Sequence, residues 1–333
     1  MGNTRWGLGI RLGFMICVFS VTVSQKWLGG GNQTAPSCSE KERLALLKFK
    51  RSIKDDHGML SSWGVGNDCC SWERVGCDHA TGRVVSLQLR KNVKEDYYLI
   101  DRPYALGLKD YYYGDRDYYL EGDELNICLT ELVNLKHLDL SGNDFQQSQI
   151  PEFIGSFRQL RYLNLSDAGF TGNIPHQIGN LSNLKVLDLG TPQEYLLSHD
   201  MSWISGLPKL EHLDLSGVDL SRTQNLDNLL YMIPSLLKRH LDLSENGFRG
   251  QLPGLFLNMT SLAFLDLLEN DVSIAWSFGN LLNMIPSLLE LRLSRCGLQK
   301  VNLSPANLNF STHSSMQHID LSHNEIEGGF PYV

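Results

Sequence analysis

A nine-residue phrase that occurs seven times constrains the fold of this chain more than any other feature. It reads LKHLDLSGN at residues 135–143. Six variants follow at 160–168, 184–192, 210–218, 262–270, 288–296 and 316–324, with most neighbouring starts 24 to 28 residues apart. Leucines at positions one, four and six give each copy an apolar side that one copy cannot bury alone. We therefore predict that the copies stack into a curved solenoid with an exposed inner sheet.

The period and the LxxLxLxxN core are those of a leucine-rich repeat. We predict an α/β fold: a leucine-rich-repeat solenoid with a parallel β-sheet on its concave face, short 3-10 or irregular segments on its convex face, and a helical, disulfide-bonded N-terminal cap. The asparagine at position nine is expected to bond backbone groups of adjacent turns from inside. It is present as Asn143, Asn246, Asn270 and Asn324.

One copy is irregular, because Leu236 and Leu241 stand five positions apart where the pattern has three. A local bulge would explain this spacing. The fusion of two repeats near Lys238 would explain it too, and we favour the fusion.

The N-terminus has the pattern of a secretory signal peptide. Arg5 and Arg11 precede the apolar stretch 12–23, which is too short to span a bilayer comfortably. Small residues near Thr22 and Ser24 allow cleavage. We predict a signal peptide at 1–24 and a flexible leader at 25–37, and we favour this interpretation over a membrane anchor.

Secretion places most of the seven cysteines in an oxidising compartment. A compact quartet is formed by Cys38, Cys69, Cys70 and Cys77. Because chain neighbours are poor disulfide partners, two pairings remain open, and we favour Cys38–Cys69 with Cys70–Cys77. Cys296 occupies position nine of its repeat and is expected to pack as a small buried side chain. Cys128 is expected to be a free thiol.

Six Asn-x-Ser/Thr sequons behind a signal peptide favour an extracellular glycoprotein. They are Asn32, Asn164, Asn180, Asn258, Asn302 and Asn309. The formal net charge of −8 becomes −10 when Arg5 and Arg11 leave with the signal peptide (−8 minus 2). An acidic chain argues against a nucleic-acid partner.

The mature chain divides into a cap, a first strand, an insertion and the repeats. Ser39 and Glu42 predict a capping box at the start of a helix in the cap, 38–78. The first repeat strand is predicted within 79–91. Residues 92–126 hold eight of the twelve tyrosines among interleaved aspartates. We predict a Tyr-rich acidic surface insertion there, with a binding loop as the alternative, and repeats from 127 to 333 with the last one incomplete.

The cap resembles the plant leucine-rich-repeat N-terminal domain. The matching residues are ERLALLKFK at 42–50, LSSW at 60–63, CCSW at 69–72 and VGC at 75–77. Arg74 departs from the pattern, which usually has glycine there. The repeats resemble the plant-specific LxxLxLxxNxFxGxIP type, most clearly at 160–179. Together these features are similar to plant receptor-like proteins of the fungal-elicitor-receptor type, such as xylanase and Cf-like receptors.

This resemblance implies the extracellular, ligand-binding ectodomain of a plant cell-surface immune receptor. It implies a protein or peptide ligand, a partner receptor kinase, and plasma-membrane attachment through a C-terminal span that we do not find in this chain. The alternative is a secreted protein similar to polygalacturonase inhibitors. Either function implies secretion to the extracellular space.

The expected ligand-binding surface is the concave face, where the exposed positions of each strand lie. The candidates are His137, Asp139, Arg161, Tyr162, Lys185, Glu211, His212, His240, Phe264, Glu290, Arg292 and His318. An aspartate recurs at the same position of six strands and suggests either a repeat feature, which we favour, or a calcium site; the residues are Asp139, Asp188, Asp214, Asp242, Asp266 and Asp320. The recurring histidines suggest that ligand affinity changes between pH 5 and 7.

No catalytic residues are expected. The sequence has no glycine-rich phosphate loop, kinase motif, nucleophile elbow or metal-ligand spacing of His and Cys. We therefore expect no enzyme activity, no cofactor and no metal.

Overall fold

The structure, a computed structural model, describes residues 37–66, 68–92, 118–192, 196–223, 240–249, 261–272, 285–298 and 315–326. The predicted signal peptide, most of the predicted leader and the irregular stretch 233–239 lie outside these residues. Within the part of the chain that the structure describes, no helix has the length and apolar character needed to cross a membrane.

The N-terminal cap is built on one α-helix, α1, Glu40–Arg51. Ser39 starts this helix with the predicted capping box: its side chain accepts a hydrogen bond from the Glu42 amide, and the Glu42 carboxylate accepts one from the Ser39 amide. Leu46 and Phe49 lie on the buried side of α1 and pack into the core. The helix therefore covers the apolar end of the first repeat, which would otherwise face water.

Two disulfide bonds hold the cap together, and they are the pairing favoured from the sequence. Cys38 is bonded to Cys69, and Cys70 to Cys77. Between them, Trp63 and Trp72 stack with their ring centroids 5.8 Å apart. Such crosslinks stabilise a module whose own core is small.

Arg74 shows how the cap tolerates the loss of the usual glycine. Its φ is 67°, in the left-handed region that favours glycine. Its guanidinium Nη1 donates to the carbonyl oxygens of Gln88 and Arg90, both at 3.1 Å. These two bonds across to the first repeat offset part of the backbone strain.

Within the described residues, the last strand of the cap and the strands of the repeats form one ten-stranded sheet, and two further strands form a smaller one. The strands in chain order are β1 Val75–Cys77, β2 Val84–Gln88, β3 His137–Asp139, β4 Tyr162–Asn164, β5 Gly172–Asn173, β6 Val186–Asp188, β7 Leu196–Leu197, β8 His212–Asp214, β9 His240–Asp242, β10 Phe264–Asp266, β11 Glu290–Arg292 and β12 His318–Asp320. β1 pairs antiparallel with β2, and each later strand of the large sheet pairs parallel with the one before it. β5 and β7 form the small sheet beside it.

In the large sheet, the three-residue strands from β3 to β11 each have a buried leucine at the centre and two residues on the other side, and β12 has the partly buried Ile319 at its centre. Leu138, Leu163 and Leu187 lie in register on adjacent strands and are fully buried. Side chains alternate across a strand, so the residues on either side of each leucine point away from the core. Five short 3-10 helices are described, at Cys69–Ser71, Ile127–Glu131, Glu152–Ser156, His176–Asn180 and Ser202–Gly206. The last four lie on the convex side, so the predicted fold class is confirmed.

Position nine of the repeats carries the expected inward hydrogen bonds. Asn143 donates from Nδ2 to the carbonyl oxygens of Leu89 at 2.8 Å and Leu140 at 2.7 Å, and its Oδ1 accepts from the Leu120 amide at 2.8 Å. Asn270 makes the corresponding contacts in its own repeat. Cys296 replaces asparagine there: its buried thiol donates to the Leu267 carbonyl at 3.0 Å, and burial raises its pKa to about 12.

The bounds of the predicted Tyr-rich insertion, 92–126, stay a prediction, and residues 93–117 lie outside the described residues. Asn92 and Tyr118 exchange backbone hydrogen bonds of 2.9 and 3.2 Å. Leu120 is buried and bonded to Asn143, which makes it part of the first repeat. Ser86 and His137, which pair on adjacent strands, are 51 residues apart. Without the 25 residues 93–117 that distance is 26, one ordinary repeat (51 minus 25).

The irregular copy contributes one turn of the sheet. β8 pairs directly with β9 in register, His212 with His240 and Asp214 with Asp242. These strands begin 28 residues apart, at the upper end of the repeat period. The extra residues fall in the stretch 233–239, outside the described residues.

Candidate ligand-binding face

The exposed side of the sheet presents two columns of side chains. Parallel pairing in register places the first residue of each strand next to the first residue of its neighbours, and the third next to the third. The first-position column is His137, Tyr162, Val186, His212, His240, Phe264, Glu290 and His318. The third-position column is Asp139, Asn164, Asp188, Asp214, Asp242, Asp266, Arg292 and Asp320.

Aromatic rings stack face to face along the first column. The rings of His212 and His240 lie 4.1 Å apart at an interplanar angle of 11°, and those of His240 and Phe264 lie 4.0 Å apart at 5°. The guanidinium of Arg292 lies 5.2 Å from the Phe264 ring centroid, a cation–π contact. Strands about 4.8 Å apart bring such rings to stacking distance without rearrangement. We call His212, His240, Phe264 and Arg292 the ring stack.

A second, shorter stack lies nearer the cap. His137 and Tyr162 have ring centroids 4.1 Å apart at an angle of 10°. Val186 separates this pair from the ring stack.

The carboxylates of the third column have a structural role at one of their oxygens. Asp242 Oδ1 accepts hydrogen bonds from the Ser244 amide at 2.9 Å and the Ser244 hydroxyl at 2.7 Å. Asp214 accepts from the Ser216 amide at 2.9 Å in the same way. These bonds close the turn after each strand, which explains why Asp recurs in the repeat and supports the structural interpretation favoured from the sequence.

Four carboxylates in a row are also electrostatically coupled. Asp188, Asp214, Asp242 and Asp266 lie in register on four adjacent strands. Burial, and then the negative charge of Asp214, raise the pKa of Asp188 to about 6 and that of Asp242 to about 7. Burial also raises the pKa of Asp266. Part of this row therefore changes charge between pH 5 and 8.

Burial lowers the pKa values of three concave histidines. Burial, and then the neighbouring His212, lower the pKa of His240 to about 4. Burial also lowers the pKa values of His212 and His137. An unperturbed histidine titrates near pH 6.5. The burial of His240 argues against it as the source of the predicted change in ligand affinity between pH 5 and 7, and that change stays a prediction. The pKa values of Asp188 and Asp242 fall in or near that pH range.

The predicted surface residues fall into two rows. Nine lie in the strands themselves: His137, Asp139, Tyr162, His212, His240, Phe264, Glu290, Arg292 and His318. Arg161, Lys185 and Glu211 precede their strands and stack in a separate row at the rim, where Lys185 Nζ lies 2.8 Å from Glu211 Oε1. Asp139 is almost completely buried, which makes it the least accessible candidate. Asp188, Asp214, Asp242 and Asp266 were not among the predicted ligand-binding residues, although the sequence singled out their recurrence as a repeat feature or a calcium site.

The two sequons within the described residues lie on opposite faces. Asn164 is in β4 on the concave face, where its Nδ2 donates to Asp188 Oδ2 at 2.9 Å. Asn180 ends a convex 3-10 helix and is exposed. Glycosylation of either residue stays a prediction. The other four predicted sites, Asn32, Asn258, Asn302 and Asn309, lie outside the described residues.

Comparison with known protein families identifies the class of the chain. The family described as "Leucine rich repeat N-terminal domain" matches residues 39–78, and "Leucine Rich Repeat" matches 134–157, 159–181 and 239–259. A further "Leucine Rich repeat" family matches 312–329. The chain is therefore a leucine-rich-repeat protein with an N-terminal cap, and none of the three matched families is a catalytic one.

Comparison with individual proteins of similar sequence places the chain in a narrower family. "Receptor-like protein EIX1" of Solanum lycopersicum is 36% identical over 310 residues, covering 90% of this chain and 27% of the relative. "Receptor-like protein EIX2" of the same plant is 36% identical, covering 88% of this chain and 34% of the relative. The chain belongs to the plant receptor-like proteins with leucine-rich repeats. It spans about a quarter to a third of the length of these relatives.

Solved structures agree on the fold. The crystal structure of a plant ice-binding protein matches with a TM-score of 0.58 at 21% identity, covering 89% of this chain and 90% of that one. A crystal structure of PEPR1–AtPEP1 matches with a TM-score of 0.55 at 21% identity, covering 88% of this chain and 43% of that one. At this identity the likeness concerns the fold alone.

Proposed function

We propose that this chain is the ligand-binding part of the ectodomain of a plant cell-surface immune receptor. It binds a microbial or endogenous protein or peptide on the concave face, and it acts by binding rather than by catalysis. Its location is extracellular, at the plasma membrane when joined to a membrane-spanning segment. A partner receptor kinase then carries the signal into the cell.

The ring stack is the observation that carries this proposal. Leu241 and Leu265 of the same strands already fill the core, whereas His240 and Phe264 project from the exposed side of the sheet. Aromatic residues and arginine are enriched where proteins recognise one another, because they provide large contact areas with little loss of side-chain entropy. Arg292 adds a charge that is already oriented by Glu290 at 2.8 Å.

The family supports a cell-surface role. The two relatives described above are receptor-like proteins of plants. The predicted signal peptide and sequons agree with a secreted ectodomain.

Binding to a purified fungal xylanase, measured by biolayer interferometry, tests the proposal. Two variants are compared with the unchanged chain. Phe264→Ala with Arg292→Ala disrupts the ring stack, and His176→Ala with Gln177→Ala alters the convex face as a matched control. We expect the concave variant to bind at least tenfold more weakly and the convex variant to bind normally.

Two results would contradict the assignment of ligand binding to the concave face. They are an equal loss of binding affinity in both variants and normal binding by the concave variant. If xylanase does not bind, the same comparison is made with other purified fungal secreted proteins and peptides. Absence of binding across that set would count against the receptor function itself.

A further inference from the structure

Three metal-ligating side chains meet on the concave face. His212 and His240 are paired on adjacent strands, and Asp214 lies two residues after His212 on the same face. One potential ligand atom from each of the three lies within 4.8 Å of the others. His212 and Asp214 lie on the same strand, whereas His240 is 28 positions after His212 in the chain and is brought beside it by strand pairing.

We propose that His212, Asp214 and His240 form a binding site for a divalent transition-metal ion of the Zn²⁺ class. Two imidazole nitrogens and one carboxylate oxygen are a donor set that Zn²⁺ and related ions prefer over Ca²⁺ and Mg²⁺, which take oxygen ligands. Three protein ligands leave a coordination position for water or for a group of a bound partner. Metal binding by these three residues does not depend on the protein or peptide ligand proposed above.

The three side chains are available to bind a metal. Within the described residues, neither imidazole ring makes a hydrogen bond; their contacts are the stacking contacts of the ring stack. Asp214 uses Oδ1 to accept from the Ser216 amide, and its Oδ2 makes no hydrogen bond to any described residue. Two imidazoles without polar partners and a carboxylate held at one oxygen are a half-buried donor set with unused lone pairs.

The surroundings favour a cation. Asp188 and Asp242 lie in register on either side of Asp214, so three carboxylates face a bound ion. Arg292 is the cation of the ring stack, but its ion pairs are with Glu290 and Asp266. A divalent ion beside Asp214 would reduce the repulsion within this row. Val186 and Phe264 border the two histidines on the neighbouring strands.

Coordination requires a small movement. Zn²⁺ bonds of about 2.0–2.1 Å place ligand atoms about 3.3 Å apart in a tetrahedral site. The observed separations, up to 4.8 Å, must therefore shorten. Rotation of the imidazoles about χ2 supplies this change, because that torsion has broad minima. The rings turn out of their parallel stack so that their lone pairs converge.

His137 provides an internal control. It occupies the same position in its repeat and is likewise followed two residues later by an aspartate, Asp139. Its neighbour on the next strand is Tyr162 rather than a second histidine. If one histidine and one aspartate were sufficient to bind a metal ion, His137 with Asp139 would bind it as well as the proposed site does.

The test is isothermal titration calorimetry with Zn²⁺ at pH 7 on the secreted chain, purified without a histidine tag. The unchanged chain and His137→Ala are expected to bind one ion each with equal affinity. His212→Ala and His240→Ala are each expected to weaken binding at least tenfold. A large excess of Ca²⁺ should not displace the ion. Circular dichroism checks each fold, and His240→Gln replaces His240→Ala if the latter fails to fold.

Three results would overturn the site. They are no Zn²⁺ binding by the unchanged chain, undiminished binding in the His212 and His240 variants, and displacement of Zn²⁺ by Ca²⁺. The last would indicate an ion held by the carboxylates alone. None of these results depends on whether xylanase or another protein binds, so the outcome is separate from that of the proposed function.

Discussion

Asn143 is the side chain whose removal gives the sharpest test of how the first repeats are held together. It is 3% exposed and makes three buried hydrogen bonds, to the carbonyls of Leu89 and Leu140 and from the amide of Leu120. No other hydrogen bond is described for these three backbone groups. Asn143→Ala therefore leaves two carbonyls and one amide buried and unpaired in a single step.

The magnitude follows from the number of unpaired groups. Each buried polar group that loses its partner costs about 1 kcal/mol or more. We expect Asn143→Ala to lower the free energy of unfolding by about 3 kcal/mol, measured by urea denaturation followed by circular dichroism. Hydrogen exchange gives a local measure, because the amide of Leu120 should exchange much faster in the variant.

Asn183→Ala is the matched control. Asn183 also donates to a backbone carbonyl, that of Arg158 at 3.0 Å, but this bond is exposed to solvent. Water can replace it, so we expect a loss below about 0.5 kcal/mol. If Asn143→Ala costs no more than this control, or if the Leu120 amide keeps its protection, the inward hydrogen bonds do not stabilise the solenoid as argued.

Two further predictions concern the insertion and the carboxylate row. Replacing 93–117 by a short Gly-Ser linker should change the free energy of unfolding by less than about 1 kcal/mol, because Asn92 and Tyr118 already close its base; a large loss on urea denaturation would contradict this. The pKa of Asp242 rises from 3.8 to about 7 on folding, so the folded state binds more protons between these pH values and loses stability as pH rises through them. Asp242→Asn should therefore be more stable than the unchanged chain at pH 8, by about 1 kcal/mol after allowance for solvent screening, and equal to it near pH 4. Urea denaturation at both pH values checks this, and parallel pH profiles for the two proteins would contradict it.

The repeat phrase was sufficient to predict the sheet because its information is local. Leucines at fixed positions determine which side of each strand is buried, and Leu138, Leu163 and Leu187 are buried as expected. The cap was predictable for the same reason. Ser39 and Glu42 form their capping box within one turn of helix, and the cysteine quartet left few pairings.

The packing of the residues that follow Tyr118 was not predictable from composition. Tyrosines and acidic residues continue to residue 124, but Leu120 belongs to the first repeat because it lies against Asn143. That contact joins residues 23 positions apart, and no local pattern signals it.

The sequence by itself determined that the chain is a capped leucine-rich-repeat solenoid and which residues face its concave side. Only the tertiary structure decided how those residues act on one another. The stacking of His212, His240 and Phe264, the shifted pKa values of Asp188 and Asp242, and the meeting of His212 and His240 with Asp214 all arise between strands 24 to 28 residues apart. Burial and charge depend on neighbours in space, and the register of the sheet supplies those neighbours.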